Sequence, residues 1–234
     1  MDTFYCLEIK EGLCQLPEGE SHHAARVLRK RQGQNVRLMD GKGTIGTGIF
    51  EEVHKKNCLA RIDSIIHYPP NKSFLHIAIA PTKNLDRTEW FLEKTTELGI
   101  QKITPILCKH SERKIIRKDR LDKVIMAATK QSMSAFLPIL DDLTSFALFL
   151  DGLATNYQQY FIAYCGEGPS IDISEIPKHD VKTIVLIGPE GDFSKEEYQL
   201  ALDKGFVGLT LGKSRLRTET AGIYVAAAFR TAQH

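Results

Sequence analysis

The chain has 234 residues, of which 42% are hydrophobic and 26% charged, and its formal net charge is only +2. That length allows one large domain or two modest ones, each with its own core, and the composition is that of a soluble globular protein. Near-neutrality excludes a whole-molecule polycation effect, and no apolar run approaches membrane-spanning length.

The start, Met1-Asp2-Thr3-Phe4-Tyr5, has neither the basic residues nor the apolar core of a signal peptide, so a cytoplasmic protein is expected. Residues from Phe4 to about Tyr68 read as a small β-rich unit with one helix over Glu20 to Leu28 and strands near Asn35 to Met39, Thr47 to Val53 and Cys58 to Ile66. Asp40-Gly41-Lys42-Gly43 is a hairpin signal rather than a nucleotide loop, because no helix follows it. Tyr68-Pro69-Pro70-Asn71 breaks regular structure and marks a boundary between domains 1–70 and 71–234.

Beyond that boundary strands and helices alternate, which predicts an α/β domain with a mostly parallel sheet, α+β for the chain as a whole. Phe74 to Ala80 is a predicted strand, followed by an amphipathic helix over Leu85 to Leu98 that presents Trp90, Phe91, Thr95 and Leu98 and stops at Gly99. Ile103 to Leu107 is the next strand, Leu121 to Ser132 a helix, Phe136 to Leu140 a strand, Leu143 to Leu150 a helix and Tyr160 to Ala163 a strand that runs into Tyr164-Cys165-Gly166-Glu167-Gly168. Thr183 to Ile187 is wholly apolar and suits a strand buried on both faces. Gly188-Pro189-Glu190-Gly191-Asp192 ends it in a loop that can bring backbone N–H groups close to a ligand. Ser194 and Glu197 have capping-box spacing for a helix over Lys195 to Lys204. Val207 to Leu211 is a strand closed by Gly212, and after Lys213-Ser214-Arg215-Leu216-Arg217-Thr218 an almost wholly apolar helix opens at Glu219, to be buried in the core or against a second subunit. Ligands of open α/β sheets bind outside the carboxyl ends of the strands, where these loops would lie.

Five cysteines are scattered singly, which argues against a disulfide framework or a zinc site. His22-His23 are adjacent and would point apart on a helix, so a surface or RNA-facing role is expected and no metal. Basic residues cluster at Arg26-Val27-Leu28-Arg29-Lys30-Arg31 and again from Lys109 to Lys123. The second cluster alone reads as a solvated face; the two together favour a phosphate-backbone partner.

With Gly188-Pro189-Glu190-Gly191 and Leu211-Gly212 through Leu216-Arg217-Thr218-Glu219-Thr220-Ala221 at strand ends, the chain resembles the RsmE-type 16S rRNA (uracil-N3)-methyltransferases of the SPOUT class. His22-His23 with Val27-Leu28-Arg29, Glu93-Lys94 with Glu97-Leu98-Gly99 and Pro105, and Gln131-Ser132 extend the likeness over nearly the whole length. The resemblance implies a PUA-like RNA-binding β-barrel over 1–70, a SPOUT methyltransferase domain with a deep trefoil knot over 71–234, S-adenosyl-L-methionine as cofactor, and a homodimer acting on 16S rRNA of the small ribosomal subunit. It implies cofactor contacts at Tyr164, Cys165, Leu186, Ile187, Gly188, Pro189, Glu190, Gly191, Leu211, Gly212, Ser214, Leu216, Arg217 and Thr218. RNA contacts are implied at His22, His23, Arg26, Arg29, Lys30, Arg31, Lys83, Arg113 and Gln131. Arg217 would stabilise the uracil anion and Glu219, or a water, would take its proton; Glu219 equally suits a first-turn acid favoured by the helix dipole. The chain departs from the family at Lys130, where an acid is usual, at Ser134, where arginine is usual, at Asp192, where glycine is common, and at Lys213-Ser214-Arg215. These departures leave open an RNA-binding protein of the same fold that has lost catalysis.

Overall fold

The structure, a computed structural model, describes residues 1–176 and 179–231. The chain forms two compact units, Met1–Pro70 with Met126–Leu137 and Asn71–Ile125 with Pro138–His234.

The first unit is built on a five-stranded sheet. It contains β1 (Thr3–Tyr5), β2 (Gly12–Gln15), α1 (Glu18–His22), a π-helical turn (His23–Val27), β3 (Asn35–Met39), β4 (Thr44–Val53) and β5 (Cys58–His67), in the order β1-β3-β4-β5-β2. The predicted hairpin turn joins β3 to β4: Gly41 and Gly43 take φ of +72° and +112°, and Asp40 Oδ1 accepts from the amides of Lys42 at 2.7 Å and Thr44 at 2.9 Å. The core gathers Phe4, Leu16, Val36, Leu38 and Phe50 with the buried thiols of Cys6, Cys14 and Cys58, and Phe4 meets Phe50 edge-on at 5.5 Å. The predicted single helix over Glu20 to Leu28 is corrected to a short α-helix that widens into the π turn, where the Leu28 amide reaches the His23 carbonyl at 3.0 Å. Arg29, at φ +51°, ends it.

The second unit is an eight-stranded sheet with helices. Its elements are β6 (Phe74–Ile79), α2 (Leu85–Glu97), β7 (Lys102–Leu107), α3 (Lys118–Gln131, whose last turns belong to the first unit), β8 (Ile139–Leu140), β9 (Thr144–Ser145), α4 (Phe146–Asp151), β10 (Gln159–Ala163), β11 (Ser170–Asp172), β12 (Lys182–Ile187), α5 (Lys195–Asp203), β13 (Val207–Thr210) and α6 (Thr218–Thr231). The strand order is β11-β13-β10-β12-β6-β7-β8, with β9 also on β7, and these pairings are all parallel. β12 lies at the centre, and Thr183 through Ile187 are buried, as a two-faced strand requires.

Three predicted elements are corrected. The strand over Phe136 to Leu140 shrinks to β8, because Pro138 has no amide hydrogen to give a ladder. The helix over Leu143 to Leu150 starts only at Phe146, where the Ser145 hydroxyl caps it by accepting from the Leu148 amide at 3.3 Å; Thr144 and Ser145 pair with β7 instead. Trp90 does not join the buried face of α2, which consists of Thr88, Phe91, Leu92, Thr95 and Thr96; it is 46% exposed. At the amino ends of the strands His76 is buried, its Nε2 2.7 Å from the Thr104 hydroxyl, which donates to Asp141 at 2.5 Å. Burial lowers the His76 pKa to about 3, so the ring is neutral and Nε2–H donates to Thr104, leaving Nδ1 to accept from the Tyr157 hydroxyl at 2.7 Å.

Helix α6 packs one face on α2, β6 and β12 through Ala221, Gly222, Val225, Ala226 and Phe229, while Tyr224 is 44% exposed. Gly222 permits this approach, because a Cβ there would overlap the ring of Phe91 and lie 3.3 Å from Ile79. Gly222→Ala is expected to lower stability by about 1–3 kcal/mol through overpacking. A urea denaturation midpoint equal to that of the parent chain would contradict this packing.

Candidate active site

Strand register brings the loops together. Ala163, the last residue of β10, is level with Ile187 of β12 and Leu209 of β13, and Ile187 is level with Ile79 of β6. Four loops therefore leave the sheet at one height along the segment β13-β10-β12-β6. The succession of strands also reverses here, since after β12 the chain passes β10 to reach β13. A crevice at such a switch point is where open α/β sheets hold ligands.

The loop Gly188–Asp192 receives donors from every neighbouring segment. The Lys83 amide, after β6, donates to Glu190 Oε1 at 2.9 Å, and the Cys165 amide, after β10, donates to Asp192 Oδ2 at 2.9 Å. His110, after β7, sets Nδ1 at 3.1 Å from the carbonyls of both Gly191 and Asp192. Two carbonyls can only accept, so that nitrogen carries the proton. The Thr218 hydroxyl, opening α6, donates to the Gly188 carbonyl at 3.1 Å, and Arg215 Nη2 reaches the Glu190 carbonyl at 3.5 Å. Asp192 holds φ +63°, a conformation in which glycine would be unstrained, and its Oδ1 accepts from the Phe193 amide at 2.8 Å. The expected capping box follows: Ser194 and Glu197 bond each other's amides at 2.9 and 3.2 Å, and Glu197 Oε1 accepts the Lys109 amide at 2.7 Å.

The side chains of Leu186 and Ile187 are buried in the sheet, so only their backbone can meet a ligand. Gly188 and Pro189 are also buried, Glu190, Tyr164, Leu211 and Leu216 half-buried, and Cys165, Gly191, Gly212, Ser214 and Arg217 exposed. Tyr164 stacks on Tyr198 of α5, with ring centroids 4.1 Å apart and planes at 18°. A Cβ at Gly168 or Gly208 would lie 2.8 or 2.9 Å from the Tyr198 hydroxyl, so both glycines make room for that stack.

Glu219, in the first turn of α6, is buried: its side chain is 6% exposed and Oε1 lies 3.8 Å from Nε of Arg87 on α2. Its Oε2 is buried and has no hydrogen-bond partner among the described residues. Arg217, two residues earlier, makes no ion pair among the described residues. Arg87 and His110 were missed in sequence reasoning; both join segments far apart in the chain, and no local pattern marks them.

Most of the expected RNA-facing residues belong to the first unit. His22, Arg26, Arg29 and Arg31 are exposed, His23 is half-buried, and Lys30 pairs with Asp2. The last turn of α3 belongs to the same unit, where Lys130 Nζ bonds both oxygens of Glu20 at 2.8 and 3.1 Å, which sets exposed Gln131 beside α1. The charge departure at Lys130 is thereby matched within the chain by Glu20. Lys83 and Arg113 lie in the second unit. Lys83 Nζ pairs with Glu112 at 2.7 Å, and Arg113 donates to the carbonyls of Thr82 and Lys83 at 3.0 and 3.1 Å, so both cations are engaged. Much of the basic segment from Lys109 to Lys123 is likewise paired, Lys109 with Glu196, Arg117 with Asp119, Lys118 with Asp122 and Arg120 with Glu89.

Comparison with known proteins agrees with this geometry. Residues 69–230 match the RNA methyltransferase domain family and residues 16–63 the RNA methyltransferase PUA domain, which defines the class: an RNA methyltransferase with a PUA domain. Ribosomal RNA small subunit methyltransferase E of Mesomycoplasma hyopneumoniae is 31% identical over 162 residues, 67% of this chain and 68% of that protein. The crystal structure of a probable rRNA-methyltransferase from Porphyromonas gingivalis superposes with a TM-score of 0.88 at 35% identity, covering 100% of this chain and 98% of that one. The Neisseria gonorrhoeae ribosomal RNA small subunit methyltransferase E, bound to S-adenosyl methionine, gives 0.85 at 26% identity over 99% and 97%. The chain belongs to the ribosomal RNA small subunit methyltransferase E family.

Replacing Asp192 by glycine removes the tie between the β10 and β12 loops while relieving its backbone strain. Amide exchange at Cys165 is expected to quicken about tenfold or more in Asp192→Gly, with no loss of global stability. Unaltered exchange at that amide would show that the bond does not hold the loop.

Proposed function

We propose that the chain transfers a methyl group from S-adenosyl-L-methionine to N3 of a uridine in 16S rRNA of the small ribosomal subunit. The observation that carries this reading is the convergence of the segments after β10 and β13 on Gly188–Asp192, the loop after β12. The residues fit such a cofactor. The loop after β12 carries Gly188, Pro189 and Gly191, the apolar side chains of Leu186 and Ile187 are buried in the sheet before it, and Gly212, at φ +103°, has open space where a Cβ would project. Tyr164 to Gly168, Leu186 to Gly191 and Leu211 to Thr218 would hold the cofactor, which when bound supplies an electrophilic methyl group.

Uracil N3 carries a proton and is a poor nucleophile until that proton leaves. Glu219, whose Oε2 has no hydrogen-bond partner among the described residues, or a water is the acceptor, and the Arg217 guanidinium stabilises the negative charge that builds on the exocyclic oxygens. Holding N3 in line with the methyl group contributes about 7–11 kcal/mol more.

The same reading includes a PUA-like barrel over 1–70 that grips RNA, a trefoil-knotted SPOUT domain over 71–234, a homodimer and action in the cytoplasm. The knot is supported by the path from β12 past β10 to β13 and back as α6 against β6 and β12. Exposed Trp90 and Tyr224, on packed helices α2 and α6, favour a covered face in a dimer. A cytoplasmic site fits the observation that no helix among the described residues is long and apolar enough to cross a membrane. Arg26, Arg29 and Arg31, exposed on the first unit, supply phosphate contacts.

Arg217→Ala is expected to lower kcat for methyl transfer to small-subunit RNA by about 10²–10³ while calorimetry shows cofactor binding largely intact; near-normal turnover would remove Arg217 from the mechanism. Alanine at Arg26, Arg29 and Arg31 is expected to flatten the salt dependence of RNA binding by about 0.7 in log–log slope for each phosphate that is no longer neutralised. A slope equal to the parent's would mean that these arginines are merely solvated.

A further inference from the structure

Beside the crevice the chain folds around two tyrosine rings. Tyr198, early in α5, is buried in one core cluster with Phe146, Ile162, Ala201 and Phe206, so its ring is fixed to the sheet. Tyr164 directly follows β10 and lays its ring on that of Tyr198, with centroids 4.1 Å apart and planes at 18°. The next residues wrap the pair. A Cβ at Gly166 would overlap the Tyr164 ring, and one at Gly168 would lie 2.8 Å from the Tyr198 hydroxyl. A Cβ at Gly208 of β13 would lie 2.9 Å from the same hydroxyl and run into the Pro169 carbonyl. Three glycines thus leave room for the two rings, and the wrap ends where Ser170 pairs with Gly208. Backbone next to both tyrosines is tied as well: the Cys165 amide donates to Asp192 at 2.9 Å, and Glu197 accepts from the Lys109 amide at 2.7 Å.

We infer that Tyr198 is a positioning residue for the cofactor: through its stack on Tyr164 it holds the loop Tyr164–Gly168 in the shape that binds S-adenosyl-L-methionine. This rests on the reading above that the loop belongs to the cofactor site. Two glycines give Tyr164-Cys165-Gly166-Glu167-Gly168 much conformational freedom to lose on binding. A ring pair restrains the loop beforehand and leaves its backbone N–H and C=O groups available to a ligand. When only a fraction of molecules holds the competent shape, the apparent dissociation constant rises by the inverse of that fraction. The stack therefore acts on affinity for the cofactor rather than on the methyl-transfer step. It acts from α5, a helix that otherwise lends no residue to the expected site.

The test is calorimetric titration of the full chain with S-adenosyl-L-methionine, alongside methyl transfer to small ribosomal subunits. Tyr198→Leu keeps an apolar side chain in the core but removes the ring, and is expected to raise Kd and KM for the cofactor about three- to tenfold. At saturating cofactor its kcat is expected to stay near that of the parent. Tyr198→Phe keeps the ring and is expected to recover most of the lost affinity. Gly168→Ala drives a Cβ against the Tyr198 hydroxyl and is expected to weaken cofactor binding. Adding Tyr198→Phe to that chain removes the hydroxyl, leaves the nearest ring atom at 3.3 Å, and is expected to restore binding. Should Tyr198→Leu fail to fold, the rescue of Gly168→Ala decides alone. Parent-like Kd in a folded Tyr198→Leu, against a parent chain that binds the cofactor, would overturn the role of Tyr198 and leave the cofactor site standing. Equal losses in Tyr198→Leu and Tyr198→Phe, a loss confined to kcat, or a Gly168→Ala defect that Tyr198→Phe does not relieve would overturn it as well. A parent chain that binds no S-adenosyl-L-methionine would instead remove the reading on which the inference rests.

Discussion

The second unit depends on one loop accepting hydrogen bonds from its neighbours. Gly188–Asp192 offers carbonyls and two carboxylates, and the segments after β6, β7 and β10, together with the start of α6, each send it a donor. A parallel sheet brings strand ends to one level but does not by itself fix the loops beyond them. Here these bonds do so, and the crevice acquires a defined shape before any ligand arrives. That is the condition under which backbone groups can recognise a cofactor without large ordering costs.

A second constraint sets where charge stands at the edge of that crevice. The small residue Gly222 draws α6 onto Phe91 of α2, and one turn higher the same two helices present Glu219 and Arg87. Packing and electrostatics are thus coupled: the missing side chain at Gly222 is what leaves a carboxylate buried beside an arginine. In the first unit the Glu20–Lys130 pair, with side chains 14% and 19% exposed, does comparable work by fastening the end of α3 to α1. An acid at position 130 would set two like charges together in a partly buried place, so the residue found there and its partner must change together.

Much of the fold was legible in the sequence where pattern and local chemistry agreed. The apolar run of β12, the Ser194–Glu197 capping box and the Gly41–Gly43 hairpin each carry their own physical signature, and each stands where expected. Strands β1, β2, β9 and β11 are two to four residues long and too short to show a period, so they went unread. The ties that build the site join residues 25 to 107 positions apart, and Arg87 looks like any helical surface arginine until α6 is packed beside it. The pairings of the basic segment from Lys109 to Lys123 were hidden for the same reason, since several of its acidic partners come from other elements.

The central claim is that the three glycine-bearing loops form one binding site rather than separate turns. Hydrogen exchange with and without S-adenosyl-L-methionine measures it directly. Protection of Tyr164 to Gly168, Leu186 to Gly191 and Leu211 to Thr218 together, rising along one binding curve, is the predicted result. Protection confined to a single loop, or appearing elsewhere on the chain, would contradict it.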